Sequence, residues 1–520
     1  MNLAWLKKLR IAVSLLFFAA TGFLFLDFTH SLSTALFTPV TYLEFVPSFL
    51  KFITVVTFAA GGYLVVLMIT MVFGRVYCST VCPLGTLQDC ISRFSMEWKK
   101  NTKYKFSRPL NTIRYSILVL VIALFAAGII LGVTLLDPYS IFGRIVSQLF
   151  TPIAIGVNNL AASILKNLNV YSIYPVDIKG FHFTSLILPL VMIGVVGWFA
   201  ARKGRLYCNS VCPVGTLLGF VSRYSLLKIH IDRTTCDNCG KCGIVCKASC
   251  INVQKKDIDF SRCVGCFNCF AACPTNSLSY ARHAGRTKPA LKGKDSAQRR
   301  NFLMGIGAFL LGYAAVAYGQ IKVKVYKHNT VAVFKKYALS PPGSVSIARF
   351  NEKCTACNLC VSACPAQVLQ PSWFEYGVTG MLQPRLDTVA AYCTYDCTIC
   401  GDVCPTGAIL HLALEEKKLT QLGKAKFVKE NCVVETQKTE CGACSEHCPT
   451  KAVHMIPYQG LFLPEVRDQY CIGCGACEYS CPTVPYKAIY VDGNEVHQKA
   501  EKPKEEKLEE KVNTTNEFPF

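Results

Sequence analysis

Charged residues are scarce in this chain of 520 residues: only 17% are Asp, Glu, Lys or Arg, while 52% are hydrophobic. So apolar a composition excludes a disordered chain and argues against an ordinary soluble enzyme. Acidic residues are fewer than basic ones: 33 Asp and Glu stand against 55 Lys and Arg, which gives a net charge of +22. In an apolar chain, clustered basic residues are more typical of membrane topology than of nucleic-acid binding, so we expect no nucleic-acid partner.

Several catalytic and cofactor motifs are also missing. The chain has no C-x-x-C-H, no P-loop, no H-E-x-x-H and no G-x-G-x-x-G after a strand. Covalent c-type haem is therefore not indicated, and no chemistry beyond electron transfer is recognisable. Cysteine, in contrast, is abundant. The thirty cysteines lie in tight repeated clusters, which are typical of metal sites rather than of disulfides.

Five apolar stretches are long enough, or nearly so, to cross a hydrocarbon core of about 30 Å. They lie near residues 9–27, 53–73, 115–136, 183–201 and 302–319. The segment 141–166 is also apolar, but Arg144, Pro152 and two asparagines interrupt it. We predict an interfacial helix there rather than a span.

The basic residues predict the orientation of these spans. They are concentrated before the first span and in the connection 74–114, whereas 28–52 carries only Lys51. Because basic segments stay in the cytoplasm, the N-terminus and residues 229–300 are expected inside and residues 320–520 outside.

The first half of the chain contains a duplication. Residues 74–95 read GRVYCSTVCPLGTLQDCISRFS, and residues 204–225 read GRLYCNSVCPVGTLLGFVSRYS. Each copy has two thiols at positions i and i+4 followed by proline, which predicts two sulfurs on one helical face and a helix that begins at the proline. These thiols are Cys78, Cys82, Cys208 and Cys212. They could be buried apolar thiols, a redox-active dithiol, ligands of a metal or cluster, or part of a quinol-oxidation site, and the sequence does not choose among these.

A two-cluster ferredoxin pattern follows the duplication. Two runs of the form C-x2-C-x2-C-x3-C are separated by sixteen residues, and in this pattern the fourth cysteine of each run binds the cluster of the other run. One [4Fe–4S] cluster is therefore predicted on Cys236, Cys239, Cys242 and Cys273, and a second on Cys263, Cys266, Cys269 and Cys246. Lys247 replaces the proline that usually follows the first run, and Cys250 is an extra cysteine.

Four more runs begin at intervals of 39 residues. They comprise Cys354, Cys357, Cys360 and Cys364; Cys393, Cys397, Cys400 and Cys404; Cys432, Cys441, Cys444 and Cys448; and Cys471, Cys474, Cys477 and Cys481. This tandem repeat predicts four further cubanes, and therefore six in total. The irregular spacing of the second and third runs favours pairing of those two with each other and of the first with the fourth; pairing of neighbours is the alternative.

Zinc is the alternative metal, but zinc sites usually have two separated Cys or His pairs rather than three cysteines plus a fourth. The six quartets account for 24 cysteines and the duplicated motifs for four, which leaves Cys90 and Cys250. Almost no thiols remain for disulfides.

A basic linker joins the two cluster regions. Arg299 and Arg300 precede Asn301-Phe302-Leu303 and an apolar, glycine-rich segment, which matches a twin-arginine export signal. An ordinary stop-transfer flank is the alternative. Ala315-Val316-Ala317 is a candidate processing site, so cleavage after 317 is an open alternative.

These patterns predict an α-helical membrane domain plus two α+β ferredoxin-like iron–sulfur domains. The predicted boundaries are 1–228 for the membrane domain, 229–281 for the two-cluster domain, 282–319 for the linker with the fifth apolar helix, 320–497 for the four-cluster domain and 498–520 for a disordered tail.

With these motifs, residues 1–280 resemble NapH-type membrane quinol dehydrogenase components, and residues 296–490 resemble exported four-cluster ferredoxins of the NapG and MauM type. Carried over by position, Cys78, Cys82, Cys208 and Cys212 match the C-x3-C-P motifs of the first family. The resemblance implies a multi-pass protein of the bacterial inner membrane that oxidises menaquinol from the quinone pool. It also implies electron delivery to a periplasmic acceptor, a cytochrome or a reductase such as one of nitrate-reductase type.

Two alternatives have a different function. The C-x3-C-P motifs also resemble those of NosR-type and CcoG-type proteins. The first alternative is therefore a conduit that carries electrons from cytoplasm to periplasm for metal reduction or cofactor maturation, without a quinol. A redox-sensing iron–sulfur protein is the other. If the chain is an enzyme at all, it is the quinol dehydrogenase component of an electron-transfer system.

Overall fold

A computed structural model describes residues 5–27, 29, 36–55, 60–99, 104–180, 183–282 and 331–502. The predicted fifth apolar helix, the arginine pair Arg299–Arg300, the candidate processing site and the tail beyond 502 lie outside the described residues. Residues 498 and 499, predicted to begin the disordered tail, are instead the end of a strand.

The N-terminal half is helical because its apolar residues form long runs with few helix breakers. Its helices are α1 (Trp5–Leu26), α2 (Phe37–Tyr42), α3 (Phe45–Val55), α4 (Gly62–Phe73), α5 (Tyr77–Thr80), α6 (Pro83–Lys99), α7 (Asn111–Ala126), α8 (Leu131–Leu136), α9 (Pro138–Ile145), α10 (Thr151–Asn167), α11 (Phe183–Lys203), α12 (Leu206–Ser210) and α13 (Pro213–Ser222). A π-helical turn, Val146–Phe150, joins α9 to α10.

Three helices are long and apolar enough to cross a membrane: Trp5–Leu26, Pro138–Asn167 and Ser185–Lys203. The second contains the segment 141–166, for which the sequence predicts an interfacial helix, and its length and composition would also suffice for a span. The polar residues of this segment are accommodated inside the protein. Arg144 is buried and donates to backbone carbonyls, and Asn159 bonds the backbone of Val176. The predicted spans 53–73 and 115–136 are each divided into two shorter helices.

The two copies of the duplicated motif have the same backbone. In each copy a short helix, α5 or α12, carries the first cysteine, and a new helix, α6 or α13, begins at the proline as predicted. The second cysteine therefore lies at the break between two helices. The prediction that both sulfurs share one helical face is wrong, because the proline starts a new helix and ends the regular i to i+4 relation.

The remaining modules are built from short helices and two-stranded antiparallel sheets. The strands are β1 (Leu227–Ile231), β2 (Ile251–Asn252), β3 (Asp257–Ile258), β4 (Leu278–Arg282), β5 (Leu369–Pro371), β6 (Pro384–Leu386), β7 (Thr420–Phe427), β8 (Val453–Tyr458), β9 (Leu461–Val466) and β10 (Ile489–Lys499). They pair as β1–β4, β2–β3, β5–β6, β7–β10 and β8–β9; β1 and β4, for example, align Leu227 with Arg282. The helices are Lys241–Ile244, Asn268–Ala272, Ile347–Lys353, Leu359–Ser362, Ile399–Asp402, Leu414–Leu419, Lys429–Asn431 (3-10), Val433–Gln437, Ala443–Glu446 and Ala476–Ser480.

Two cysteine-rich modules, the two-cluster module of residues 229–282 and the four-cluster module of residues 331–502, contact opposite ends of α1. The guanidinium of Arg10, near the N-terminal end, neighbours the thiol of Cys266. Phe25, at the other end, packs at Gly143, where the carbonyl of Cys357 also lies. Phe25 lies fifteen positions after Arg10 in the helix, which corresponds to about 22 Å. A helix long enough to be a membrane span therefore separates the two modules.

Candidate iron–sulfur centres

The two-cluster module groups its thiols in two sets. The sulfur of Cys242 has those of Cys236, Cys239 and Cys273 as neighbours. The sulfur of Cys269 has those of Cys266, Cys263 and Cys246 as neighbours, followed by that of Cys242 from the other set. In each set, three thiols come from one run and the fourth from the other run. Four thiolates arranged in this way suit a [4Fe–4S] cube, in which each thiolate binds a different iron.

Cys250, the extra cysteine of the sequence, lies between two of these thiols. Its Sγ is 3.5 Å from that of Cys246 and also hydrogen-bonds Cys263. This hydrogen bond lowers the pKa of the Cys246 thiol and raises the pKa of the Cys250 thiol. As ligands of the predicted cluster, Cys246 and Cys263 would be thiolates, so Cys250 would be the thiol that donates to them.

Replacing Cys250 with alanine should lower the midpoint potential of the cluster on Cys263, Cys266, Cys269 and Cys246. A hydrogen bond to sulfur favours the more negative reduced state, so its loss favours the oxidised state. An EPR-monitored redox titration measures the shift, and Cys90→Ala, at an exposed position, should leave the potential unchanged. Loss of iron in the Cys250→Ala variant would instead make Cys250 a ligand.

In the four-cluster module the first run pairs with the second, and the third run pairs with the fourth. The prediction that the second pairs with the third and the first with the fourth is therefore wrong. Cys404 of the second run lies with the first three thiols of the first run, and Cys364 lies with those of the second. Likewise Cys481 joins the third run and Cys448 the fourth. The extra residue of the second run lies in the loop between Cys393 and Cys397. The Nζ of Lys417 donates to two carbonyls of this loop, those of residues 394 and 395.

The quartets of this module form a connected series. The backbone N–H of Cys393 donates to the carbonyl of Cys474 at 2.9 Å, which joins the second quartet to the fourth. Cys477 of the fourth quartet neighbours Cys444 of the third. The order from α1 outward is therefore first, second, fourth and third run.

A zinc ion is a poor fit to this arrangement. Within the described ranges, no three Cys, His, Asp or Glu side chains converge closely enough to hold one metal ion. Thiolates of a cubane bind separate irons and so are spaced more widely than the ligands of one zinc ion.

The four thiols of the duplicated motifs meet in the interior of the helical domain. The sulfur of Cys82 has those of Cys208, Cys78 and Cys212 among its charged neighbours, and Cys78 neighbours Cys208. All four side chains are at most 5% exposed. The hydroxyl of Ser14 on α1 lies 2.8 Å from that of Thr86, one turn past Cys82. This thiol group therefore lies along α1 between the two cysteine-rich modules.

Two buried arginines link the copies around these thiols. Arg75 of the first copy donates to the carbonyl of Cys208 at 3.2 Å, and Arg205 of the second donates to the carbonyl of Cys78 at 2.6 Å. Each arginine stands three residues before the first cysteine of its own copy. Arg75 also donates to the carbonyl of Ser261 at 3.0 Å, in the two-cluster module.

Glycine is required at the same place in both copies. A Cβ on Gly85 would lie 2.4 Å from the carbonyl oxygen of Cys78, and a Cβ on Gly215 would lie 2.3 Å from that of Cys208. Each glycine stands three residues after the second cysteine of its copy. The C-P-x-G sequence therefore lets the new helix press against the short helix that carries the other thiol.

Asp89 on α6 is the anion of this region. It is salt-bridged to Arg10, to Arg205 at 2.8 Å and to Lys247 of the two-cluster module at 3.4 Å. Burial would raise the pKa of Asp89, but the charges of Arg205, Lys247 and Arg10 outweigh burial and hold the pKa well below its usual range.

Sequence reasoning missed Arg75, Arg205 and Asp89 as parts of the site. The signal was present for the arginines, because the duplicated phrase is G-R-x-Y-C in both copies. Asp89 had no such signal, because the corresponding position of the second copy is Gly219, which carries no charge.

The fold and these thiol sets define a ferredoxin-type 4Fe-4S protein with an apolar helical domain. A family described as a 4Fe-4S binding domain matches residues 55–101 and 184–233, which include the duplicated motifs. A family described as a 4Fe-4S dicluster domain matches residues 353–409, which contain the first two cysteine runs of the four-cluster module.

The chain is an electron-transfer protein related to several ferredoxin-type proteins. It is 26% identical to the ferredoxin-type protein NapH of Haemophilus influenzae, over 42% of this chain and 67% of NapH. It is 24% identical to the putative electron transport protein YccM of Escherichia coli, over 48% of this chain and 63% of YccM. It is 33% identical to the methylamine utilization ferredoxin-type protein MauM of Methylophilus methylotrophus, over 21% of this chain and 49% of MauM. No solved structure matches the chain significantly.

Proposed function

We propose that the chain carries electrons from menaquinol, through [4Fe–4S] clusters, to an acceptor in the periplasm. The observation that supports this most directly is the placement of the two cysteine-rich modules at opposite ends of α1, with a third group of thiols between them. Such a series suits electron transfer across a membrane better than catalysis at a single centre.

The orientation follows from the distribution of Lys and Arg. The N-terminus and the two-cluster module lie in the cytoplasm, and the four-cluster module lies in the periplasm of a bacterial inner membrane. The module ligands are the six quartets of thiols described above. In this arrangement a NapH-like portion and a NapG-like portion form one chain, and the acceptor is a cytochrome or a reductase, for which the resemblance suggests the nitrate-reductase type.

The quinol site that fits best is an apolar cavity of about 340 Å³ between α3, α4, α7 and α13. Phe49, Tyr63 and Phe125 supply aromatic rings, and Pro213, which follows Cys212, forms part of the wall. Asp137 is the carboxylate in the lining and is suited to accept a proton that quinol oxidation releases. A cavity of this size and apolarity is typical of sites for small apolar ligands.

Filling the cavity should stop reduction by quinol. In the Ile122→Trp variant an indole at the cavity mouth would compete with the quinol ring, while Leu120→Trp is the matched control because Leu120 is equally exposed on α7 but does not line the cavity. We expect a menaquinol analogue to reduce the clusters of the wild type and of Leu120→Trp in liposomes, as followed by bleaching of the visible absorption, but not those of Ile122→Trp. Dithionite should reduce all three proteins.

A second function, a conduit from cytoplasm to periplasm that needs no quinol, is favoured by the direct contact between Arg75 and the two-cluster module. The same liposomes distinguish the two functions. If a membrane-impermeant reductant on the side of the two-cluster module reduces the outer clusters and menaquinol analogues reduce none in the wild type, the quinol proposal is wrong.

A further inference from the structure

Three of the four thiols of the duplicated motifs have hydrogen-bond donors close to them. The backbone N–H of Gly215 donates to the sulfur of Cys212 at 3.3 Å, and the side-chain amide of Gln88 contacts the sulfur of Cys208 with its Nε2 at 3.4 Å and its Oε1 at 3.6 Å. A guanidinium nitrogen of Arg75 lies 3.8 Å from the sulfur of Cys78. Gln88 and Arg75 are fully buried. Donors of this kind stabilise thiolates and cluster sulfur rather than neutral thiols.

The charge of Arg75 independently indicates that a negatively charged group lies among these thiols. No carboxylate among the described residues forms a salt bridge with Arg75, although Arg205, its counterpart in the second copy, is paired with Asp89. A fully buried cation without an anionic partner is costly. Four thiolates outweigh the positive charge of a cubane core, so a cluster here would be anionic and would compensate Arg75.

We propose that Cys78, Cys82, Cys208 and Cys212 hold a seventh [4Fe–4S] cluster, to which each copy of the duplicated motif contributes two ligands. The family match gives each copy a general cluster-binding description; what the geometry adds is that the two copies share one centre. This inference goes beyond the proposed function, because the cluster would be present whichever molecule donates or accepts the electrons.

The position of the centre gives it a role. Arg75 bonds the module of Cys263 on one side, and the thiol of Cys263 is among its charged neighbours. On the other side, the buried ring of Tyr139 neighbours Cys357 and Cys404 of the first outer quartet. The hydroxyl of Tyr207, a residue beside Cys208, bonds the carbonyl of Leu136 in the same region at 3.0 Å. The thiol group therefore connects the inner and the outer clusters.

A one-electron centre suits this position better than a dithiol. In each step one ferric iron of the cubane would accept one electron and become ferrous, and it would then return to the ferric state as the next cluster is reduced. A dithiol–disulfide couple exchanges two electrons and two protons, whereas its neighbours in the series take one electron at a time. Protons would also have to reach a group that is almost completely buried.

The iron content of the purified full-length protein tests the proposal. Seven cubanes predict about 28 iron atoms per chain and six predict about 24. The double variant Cys82→Ala/Cys212→Ala should lose about four iron atoms relative to the wild type and keep the others. The control Cys90→Ala, at an exposed cysteine of the same helix as Gln88, should lose none.

Two outcomes would overturn the proposal: a wild type with about 24 iron atoms, or a double variant with the iron content of the wild type. Because the double variant could fail to fold, native mass spectrometry of the wild type is the second measurement. A mass that corresponds to six cubanes, with the four thiols alkylated only after reduction, would make them disulfides and refute the seventh cluster. Activity with quinol does not enter either measurement, so failure of the proposed function and failure of this inference are distinguishable.

Discussion

Replacing Asp89 with asparagine should destabilise the protein by about 3–5 kcal/mol, because it removes one partner of a buried group of charges. Arg205 and Arg10 would remain buried without their anion, and Lys247 would lose its contact with the helical domain. Denaturant unfolding of the detergent-solubilised protein, followed by circular dichroism, measures the loss. Release of the two-cluster module should accompany it, since Lys247 belongs to that module.

The matched control is Glu97→Gln on the same helix. Glu97 pairs with Arg93 at 3.1 Å, but both side chains are exposed. Such a pair contributes about 0–1 kcal/mol, so the control should unfold nearly as the wild type does. Equal stability losses in the two variants would show that Asp89 has no special role in holding the domains together.

The pH dependence of the stability difference between the wild type and Asp89→Asn follows from the direction in which the pKa of Asp89 is shifted. The pKa of Asp89 is lowered in the folded protein. The stability that Asp89 contributes is therefore fully present above the pKa of the unfolded chain, about 3.9, and is lost as the pH falls below it. The difference in stability between wild type and Asp89→Asn should then be constant from about pH 5 to pH 8, which unfolding curves at several pH values within this range can check.

The grouping of the thiols could be predicted where the spacing itself encodes it. In the C-x2-C-x2-C-x3-C runs the third cysteine lies in a short helix, such as Lys241–Ile244, and the fourth cysteine follows just after that helix ends. The structure groups the sulfurs of Cys246 and Cys273 accordingly, each with the opposite run.

The pairing of whole runs could not be predicted from irregular spacing. The gap between Cys432 and Cys441 contains a short helix, Val433–Gln437, and a left-handed residue, Lys438. This loop returns Cys441 to the same cluster site as Cys432 and so has no effect on which run is the partner. The packing of short helices decides the partner instead: Leu359–Ser362 packs against Ile399–Asp402, and Ala443–Glu446 packs against Ala476–Ser480.

The roles of Lys247 and Cys250 depend on contacts between distant segments. Lys247 departs from the usual proline of its motif, and only the structure brings it to Asp89, which lies far earlier in the chain. Cys250 is a spare cysteine in the sequence and a hydrogen-bond donor in the structure. Lys247 thus lies where the two-cluster module meets the helical domain, and Cys250 lies beside two predicted cluster ligands, Cys246 and Cys263.

Replacing Gly143 with alanine should interrupt electron transfer from the helical domain to the four-cluster module. A Cβ at this position would lie 2.3 Å from the carbonyl oxygen of Cys357 and 2.7 Å from the ring of Phe25. The carbonyl belongs to the backbone of Cys357, a predicted cluster ligand, and cannot rotate away, so the module must move outward. Overpacking of this kind costs about 1–3 kcal/mol, which corresponds to a shift of about 5- to 150-fold in the ratio of docked to undocked module. Because electron tunnelling falls steeply with distance, stopped-flow reduction of the outer clusters should slow in proportion to the fall in the docked fraction.

Gly156→Ala is the control, since it makes the same substitution farther along the same continuous helix. A Cβ there would meet nothing within 4 Å, and alanine favours a helix over glycine by about 1 kcal/mol. The control should therefore be as stable as the wild type or slightly more stable, and its outer clusters should be reduced at the wild-type rate. Gly143→Ala gains the same helix propensity, so slower reduction in this variant alone would come from the contact with Cys357. Equal rates in the two variants would mean that electrons do not pass from the helical domain to the outer module at this contact.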